Sequence, residues 1–206
     1  GRVSEKTGKP FFLYLPQEAP HGPYQRRIDK ILREVGKAGT KAVNKDSIPL
    51  IYKEMVEVMD RGVGKIIQIL KETAQYQNTM VVFISDNGAN GYGNNGNLRG
   101  YKGGVYEGGS RVPAIISYPE KIKKGIINKQ IVLTMDLLPT LLDFIGQKPS
   151  APDLDGISIK ENLLQQTKLP HREVFFAFQN KSFIRKDDWK LVSIESKDGD
   201  KIELYN

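Results

Sequence analysis

The sequence predicts an α/β fold in which a sheet flanked by helices is followed by a small antiparallel β subdomain. Three apolar segments of strand length, residues 10–16, 79–85 and 112–118, alternate with helical patterns along the first part of the chain. Such alternation is typical of a sheet that helices cover. After Gly156 the pattern changes to short strands separated by turns, which indicates antiparallel pairing.

The strands predicted in the first part are apolar throughout. Pro10–Pro16, PFFLYLP, is bounded by prolines and is predicted to be a buried strand. Thr79–Ser85, TMVVFIS, shows no polar alternation, so both of its faces should be buried, which favours a parallel sheet. Val112–Tyr118, VPAIISY, is predicted as a third strand, and Ile131–Leu133 as a segment that pairs near it.

A long amphipathic helix should connect the first two strands. Ser47 has the character of an N-cap, Pro49 falls in the first turn, and the helix should end near Ala74. Gly62 and Gly64 are expected to let the helix approach the sheet closely. Its buried face is predicted from residues that recur at spacings of three and four, which are Ile51, Met55, Val58, Gly62, Ile66 and Ile69.

A second helix and further strands lead to the end of the chain. Asp136 is predicted to cap a helix over Leu137–Phe144, and Gly146 to end that helix. Glu173–Gln179 and Ser182–Ile194 have the residue types and turns of antiparallel strands.

We therefore divide the chain near Leu169–His171. Residues 1–168 are predicted to form the α/β part, and residues 169–206 to begin the antiparallel subdomain. Because Tyr205–Asn206 fall within a predicted strand, we expect the subdomain to be truncated there.

Composition excludes several classes of chemistry. The 206 residues contain no cysteine, which excludes disulfides, thiolate metal sites and cysteine nucleophiles. The net charge of +7 comes from lysines spread along the chain, with no nucleic-acid-binding motif, so no nucleic-acid partner is expected. The favoured interpretation of this charge is a solvated lysine-rich surface, and affinity for polyanions such as sulfated glycans is the more specific alternative. No apolar run is long enough to span a membrane.

The segment Val81–Pro113 has the layout of a site for a metal and an anion, because oxygen ligands and then cations follow a strand. Asp86 and Asn87 offer hard oxygen donors suited to Ca²⁺ or Mg²⁺, and Gly88 permits a sharp turn after them. Two ligands cannot complete a calcium shell of about six to eight, so others must come from elsewhere. An ordinary Asx turn or helix N-cap is the structural alternative.

Two further side chains could act on an anionic substrate. His21, between Pro20 and a Gly-Pro pair, could donate a proton or bind an anion near neutral pH. Glycines beside Lys102 allow it to approach an oxyanion, and Arg99 could add to the positive field. Glu107 is expected to pair with a nearby cation rather than act as a base. An exposed loop histidine and a solvated lysine are the alternatives.

In combination, these segments resemble the sulfatase family, the formylglycine-dependent type within the alkaline-phosphatase-like superfamily. The most specific piece is LRGYKGGVYEGGSRVP downstream of SDNG. The resemblance implies part of an alkaline-phosphatase-like mixed sheet and covers nearly the whole chain. It runs in order through PFFLYLPQEAPHGPYQ, YKEMVEVMDRGVGKIIQIL, NTMVVFISDNG, NLRGYKGGVYEGGSRVPAIISYPEKI, TMDLLPTLLDFIG, LDGIS and HREVFFAF.

The resemblance also implies a chemistry. A hydrated formylglycine would attack the sulfur of a sulfate ester while a divalent metal, usually Ca²⁺ and alternatively Mg²⁺, polarises the sulfate oxygens. Asp86 and Asn87 then correspond to metal ligands, and Lys102 to the sulfate-binding lysine. His21 corresponds to the histidine near the leaving-group oxygen, and Arg99 is a further candidate for substrate binding. A sulfated glycan or an aryl sulfate would be the substrate, in a periplasmic, secreted or lysosomal location.

The chain departs from the family at the nucleophile. The family motif C/S-x-P-x-R is absent, since no Ser-x-Pro of this chain has Arg two residues later, and the early Asp-Asp metal pair is missing too. We therefore expect the C-terminal part of a sulfatase catalytic domain, inactive alone, whose partner is the N-terminal part of the same enzyme.

Two other functions remain open from the sequence. One is a phosphatase or phosphodiesterase of the same superfamily, although the presence of only two histidines argues against its usual metal sites. The other is a non-catalytic module that binds sulfated polyanions.

Overall fold

The structure, a computed structural model, describes residues 8–29, 44–148 and 154–206. These form a two-stranded and a four-stranded antiparallel sheet together with four helices and two short 3₁₀ turns. The helices are α1 (Ile48–Glu72), α2 (Glu107–Ser110), α3 (Leu137–Phe144) and α4 (Lys160–Gln165), and the 3₁₀ turns are Lys45–Ser47 and Thr134–Asp136. The strands are β1 (Val81–Ile84), β2 (Ala114–Ser117), β3 (Glu173–Phe178), β4 (Lys181–Lys186), β5 (Trp189–Ile194) and β6 (Lys201–Tyr205).

The first sheet consists of β1 and β2, which pair antiparallel from Val81 opposite Ser117 to Ile84 opposite Ala114. The expectation of a parallel arrangement with both faces of β1 buried is wrong for this pair. No long helix crosses over between the two strands, as parallel pairing requires, and β1 is only partly buried.

Two of the predicted strands do not form. Residues 10–16 adopt no regular secondary structure, and Phe12 and Tyr14 are 80% and 75% exposed. In the described part of the chain no strand lies beside this segment to complete a ladder. Ile131 and Leu133 also lie outside any strand, and instead pack against the core of the four-stranded sheet.

Helix α1 confirms the predicted bounds. Ser47 precedes it, although its side chain makes no capping hydrogen bond; a proline lies in its first turn, and it ends two residues before Ala74. Among the helices of the described residues, none is both long enough and apolar enough to cross a membrane.

The predicted buried face of α1 is partly wrong. Ile51 is buried, as expected, but Val58 and Ile69 are exposed, and Leu70 is buried in their place. Gly62 and Gly64 are also exposed, with no atom within 4 Å of an added Cβ, so they bring the helix close to nothing. The residues that α1 covers recur mostly at steps of four, whereas the predicted set also included steps of three. The predicted set therefore turned away from the covered face along the helix.

Helix α3 has the predicted bounds, and Gly146 follows it with a left-handed φ of +68°. Asp136 precedes the helix, but its carboxylate makes no capping hydrogen bond to it. The carboxylate instead accepts from the backbone N–H groups of Leu133 (2.7 Å) and Ile157 (3.0 Å) and pairs with Arg172. Asp136 therefore fastens the turn before α3 to the residue preceding β3.

The four strands β3 to β6 form an antiparallel sheet in sequential order, which confirms the sequence prediction for this part. Gln179 and Asp187 adopt left-handed backbone angles in the two tight hairpins. The inner face supports a core of Val105, Val174, Phe183 and Val192. The outer face carries one exposed apolar row across all four strands, made of Phe175, Ile184, Leu191 and Leu204.

The inner core thus includes Val105, which comes from the loop between β1 and β2. The sheet and this loop are therefore packed as one unit. The division into residues 1–168 and 169–206 stays a prediction.

Candidate functional site

The loop that follows β1 is locked to helix α2 through its backbone. The N–H of Gly88 donates to the carbonyl of Gly109 (3.0 Å), and a Cβ on Gly88 would lie 1.8 Å from the carbonyl oxygen of Gly108. The Ser85 hydroxyl donates to the carbonyl of Asn87 (2.9 Å). The backbone that carries Asp86 and Asn87 is thereby fixed, and only glycine fits at position 88.

Asp86 is exposed and Asn87 is half-buried at this turn. Neither side chain forms a hydrogen bond or ion pair with another described residue. The carboxylate oxygens of Asp86 and the amide oxygen of Asn87 are therefore available to a cation. Their donor type fits Ca²⁺ or Mg²⁺. Within the described ranges, however, no group of three or more acidic or histidine side chains converges, so Asp86 and Asn87 could supply only part of a metal shell.

Lys102 lies beside the loop that carries Asp86 and Asn87. Its backbone N–H donates to the carbonyl of Ala89 (3.0 Å), three residues after Asp86. The following Gly103 has a φ of +78°, and the N–H of Gly104 closes a turn onto the carbonyl of Tyr101 (2.9 Å). This turn carries Lys102, which is exposed and has no ion-pair partner among the described residues.

His21 lies in an exposed loop between two cis X-Pro bonds. Its Nδ1 is 2.7 Å from the carbonyl of Gly22. Because a carbonyl only accepts hydrogen bonds, Nδ1 is the donor, which leaves Nε2 to face another partner. The ring is thus oriented by its own loop.

An aromatic cluster joins the loop of His21 to the rest of the site. The hydroxyl of Tyr24 accepts from Asn90 Nδ2 (2.9 Å), and its ring packs edge-on against Tyr92 (5.3 Å) and at a tilt against Tyr52 of α1 (6.4 Å). Burial, together with the neighbouring Tyr24, raises the pKa of Tyr52. The structure therefore connects the segment of Tyr24, three residues after His21, to the loop that follows Asp86 and Asn87, a contact that no sequence pattern indicated.

Arg99 faces the four-stranded sheet. Its guanidinium lies 3.8 Å from the ring centre of Tyr106, donates to the hydroxyl of Tyr205 (2.6 Å) and is 3.8 Å from Glu203. Hydrogen bonds, first from the Tyr106 hydroxyl and then from Lys201, lower the pKa of Glu203 to about 2. These contacts give Arg99 a structural role, and its part in substrate binding stays a prediction.

Glu107 pairs with cations, as expected, but its main partners come from the four-stranded sheet. Its carboxylate accepts from Lys190 (2.9 Å) and Arg185 (3.1 Å), whereas Arg111 is 4.0 Å away. Burial raises the pKa of Glu107, but the hydrogen bond from Lys190 and the surrounding cations outweigh it, so the pKa is lowered overall. The partners lie 78 and 83 residues further along the chain, beyond the reach of local pattern reading.

Hard oxygen donors lie on neighbouring loops of an α/β fold with a lysine that has no ion-pair partner among the described residues, a set of groups suited to a divalent cation and an anion. The family models agree with this chemistry. Residues 2–147 match the model for sulfatase, and residues 101–206 match the model for N-sulphoglucosamine sulphohydrolase, C-terminal. The chain therefore belongs to the sulfatase family.

Individual relatives support the same assignment. The chain is 32% identical to a sulfatase of Formosa agariphila, over 97% of this chain and 38% of the relative. It is 33% identical to the N-acetylgalactosamine-6-sulfatase of Canis lupus familiaris, over 82% of this chain and 31% of the relative. The solved structure of Ps i-CgsB matches all of this chain and 45% of its own, with a TM-score of 0.80 and 30% identity. Ps i-CgsB has also been solved in complex with k-i-k-neocarrahexaose.

The chain spans less than half the length of each of these relatives. It corresponds to the C-terminal region of sulfatase homologues. The structural match confirms a mixed α/β fold with a small four-stranded antiparallel sheet.

Proposed function

We propose that this chain forms one wall of a sulfatase active site and that the complete enzyme hydrolyses a sulfate ester. The observation that carries the proposal is the hydrogen bond from the backbone N–H of Lys102 to the carbonyl of Ala89, three residues after Asp86, together with the absence of an ion-pair partner for Lys102 among the described residues. Family membership makes sulfate the anion of choice.

Each residue has a separate task in this proposal. Asp86 and Asn87 would contribute oxygen ligands to a divalent cation, which when bound would neutralise charge on the sulfate oxygens. Lys102 would stabilise the charge that builds up on the transferring group. His21, protonated on both ring nitrogens, would donate the Nε2 proton to the leaving ester oxygen, which departs as an alcohol, while Nδ1–H stays hydrogen-bonded to the carbonyl of Gly22.

The nucleophile would come from outside these residues. The chain has neither cysteine nor a Ser-x-Pro-x-Arg sequence from which formylglycine could arise. We therefore propose that the 206 residues alone do not turn over substrate and that a further part of the enzyme supplies the missing ligands and nucleophile.

A sulfated saccharide is the proposed substrate class. The matched relative from Canis lupus familiaris is named for a sulfated amino sugar, and Ps i-CgsB binds an oligosaccharide. The net charge of +7 favours a polyanionic substrate in the same way.

The test uses the full-length protein expressed from the gene that contains this sequence. Release of inorganic sulfate is measured from sulfated mono- and oligosaccharides and from an aryl sulfate, beside phosphate release from matched phosphate esters. Sulfate release is expected, with kcat/KM falling about 10²–10³-fold in Lys102→Ala. Lys53→Ala, an exposed lysine on α1 in a surface pair with Glu57, is the matched control and should leave kcat/KM unchanged.

The competing functions predict other results. Preferential release of phosphate would favour the phosphatase alternative. Salt-sensitive binding of sulfated polyanions without any hydrolysis would favour the non-catalytic module. Turnover by the purified 206-residue chain alone would contradict the proposal that it lacks the nucleophile.

A further inference from the structure

The inner face of the four-stranded sheet contains two cations side by side. Arg185 of β4 and Lys190 of β5 are direct cross-strand partners. Like charges at opposed positions of a sheet repel each other and are destabilising. The Lys190 side chain is only 7% exposed, so water screens this repulsion poorly.

Glu107 resolves this repulsion by reaching both cations at once. Its two carboxylate oxygens lie 2.9 Å from Lys190 Nζ and 3.1 Å from Arg185 Nη1. Within the described residues no other carboxylate pairs with either cation. Lys190 Nζ also lies 3.8 Å from the ring centre of Phe183, which further restricts its position.

The helical turn that carries Glu107 touches both loops of the candidate site. The N–H of Gly108 donates to the carbonyl of Arg99 (2.7 Å), and the carbonyl of Gly109 accepts from Gly88 (3.0 Å). A Cβ on Gly108 would lie 2.2 Å from the carbonyl oxygen of Gly100, so the contact leaves no free space. A shift of this turn must therefore displace both the segment of Asp86 and the segment of Lys102.

We propose that Glu107 and Lys190 are positioning residues through which the four-stranded sheet sets the relative placement of Asp86, Asn87 and Lys102. Only one position of the α2 turn lets Glu107 reach both cations, and any other position leaves the buried Lys190 and the half-buried Arg185 uncompensated. The catalytic consequence rests on the proposed sulfatase function, but the structural consequence does not.

Hydrogen–deuterium exchange tests the structural part without any substrate. In the same full-length product, Lys190→Met should speed exchange at the amides of Gly88, Lys102 and Gly108 about tenfold or more, because local opening of the loops becomes easier. Lys186→Met is the matched control. It removes an exposed lysine that pairs with Glu173 on the outer part of the sheet, and these amides should then exchange as in the wild type.

Two further variants keep the result interpretable. Glu107→Gln preserves the shape of the side chain and removes its charge, so it should speed exchange at the same amides even if Lys190→Met folds poorly. Lys190→Arg keeps the positive charge and should restore slow exchange in large part. Unchanged exchange in both Lys190→Met and Glu107→Gln would overturn the proposal.

Kinetics then separate positioning from overall stability. Lys190→Met should lower kcat/KM for sulfate release about tenfold and raise the Ca²⁺ concentration for half-maximal activity, with recovery in Lys190→Arg. A purely structural residue would change the fraction of folded enzyme and leave KM and the Ca²⁺ dependence unchanged, and that result would also contradict the proposal. If the wild type releases no sulfate but the exchange pattern holds, the proposed function fails and the positioning role stands.

Discussion

The two sheets of this molecule differ in how they are completed. Each strand of the four-stranded sheet finds its partner within a short turn, and its inner face buries Val192 fully. The two-stranded sheet has four residue pairs, and Ile115 on β2 is 62% exposed. The apolar segment of residues 10–16 is exposed as well. Among the described residues, therefore, the four-stranded sheet has one face closed by a core and an exposed apolar row on the other, whereas the two-stranded sheet has no buried residue on either face.

Charged pairs connect the four-stranded sheet to segments that precede it in the chain. Asp136 joins the turn before α3 to Arg172 at the start of β3, and Glu107 joins the site loops to β4 and β5. Such pairs are costly to break, because a lone partner is left buried and charged. The site loops consequently depend on the sheet that has the closed core, and the comparison can be tested by breaking each part separately.

Replacing Asp136 should have the largest effect on stability. Asp136 is fully buried and accepts from two backbone N–H groups as well as Arg172, so Asp136→Ala should lower the free energy of unfolding by about 3–5 kcal/mol. Asp143→Ala is the control, since the pair that Asp143 forms with Lys160 is much more exposed to solvent and its loss should cost far less stability. Urea denaturation measures both variants. An equal loss of unfolding free energy in the two variants would contradict a special contribution of the Asp136–Arg172 contact to stability.

The same carboxylate should make the protein sensitive to acid. Burial raises the pKa of Asp136, but hydrogen bonds from Arg172 and the backbone outweigh it, so the folded-state pKa lies below the ordinary 3.8. A lowered pKa gives stability that is present above the unfolded-state pKa and is lost as pH falls through the folded-state value. Glu107, lowered from 4.5, acts in the same direction.

Thermal unfolding at a series of pH values measures this loss. The wild type should lose stability steeply below about pH 4. Asp136→Asn should start from a lower Tm at neutral pH and show a shallower decline in acid. A parallel decline in both proteins would mean that other groups dominate the acid response.

Core substitutions compare the two sheets directly. Val192 is 0% exposed, so Val192→Ala should cost about 2 kcal/mol through lost burial and a residual cavity. Ile115→Ala removes a larger side chain from the two-stranded sheet, yet it should cost only about 0.5 kcal/mol because that side chain is already exposed. If Ile115→Ala is the more costly change in denaturant titrations, Ile115 is covered in solution and the contrast between the sheets is wrong.

Sequence patterns predicted the parts of this molecule that local physics decides. The antiparallel strands after Glu173, the bounds of α1 and the end of α3 at Gly146 follow from turns, caps and breakers near in sequence. The antiparallel pairing of β1 and β2 was missed, because the direction of a strand depends on the path of the chain between them.

The candidate site shows the same limit. Motifs singled out Asp86, Asn87, Lys102 and His21, and the structure shows their local backbone contacts. The partners of Glu107 could not be read from the sequence, since Arg185 and Lys190 reach it only after the hairpin has folded over α2. Tyr24 was missed for a similar reason, because its partners Tyr52 and Asn90 come from two other elements.

A small stabilising effect tests the revised face of α1. Gly62 lies in the helix interior with no atom within 4 Å of an added Cβ, so Gly62→Ala should stabilise the protein by about 0.5–1 kcal/mol. Gly88→Ala is the contrasting control, because its Cβ would lie 1.8 Å from the carbonyl oxygen of Gly108 and must displace the site loop. Denaturant titration of both variants gives the signs. A destabilising Gly62→Ala would mean that this face of the helix is covered in solution. Gly62 would then have to be counted among the covered residues of α1.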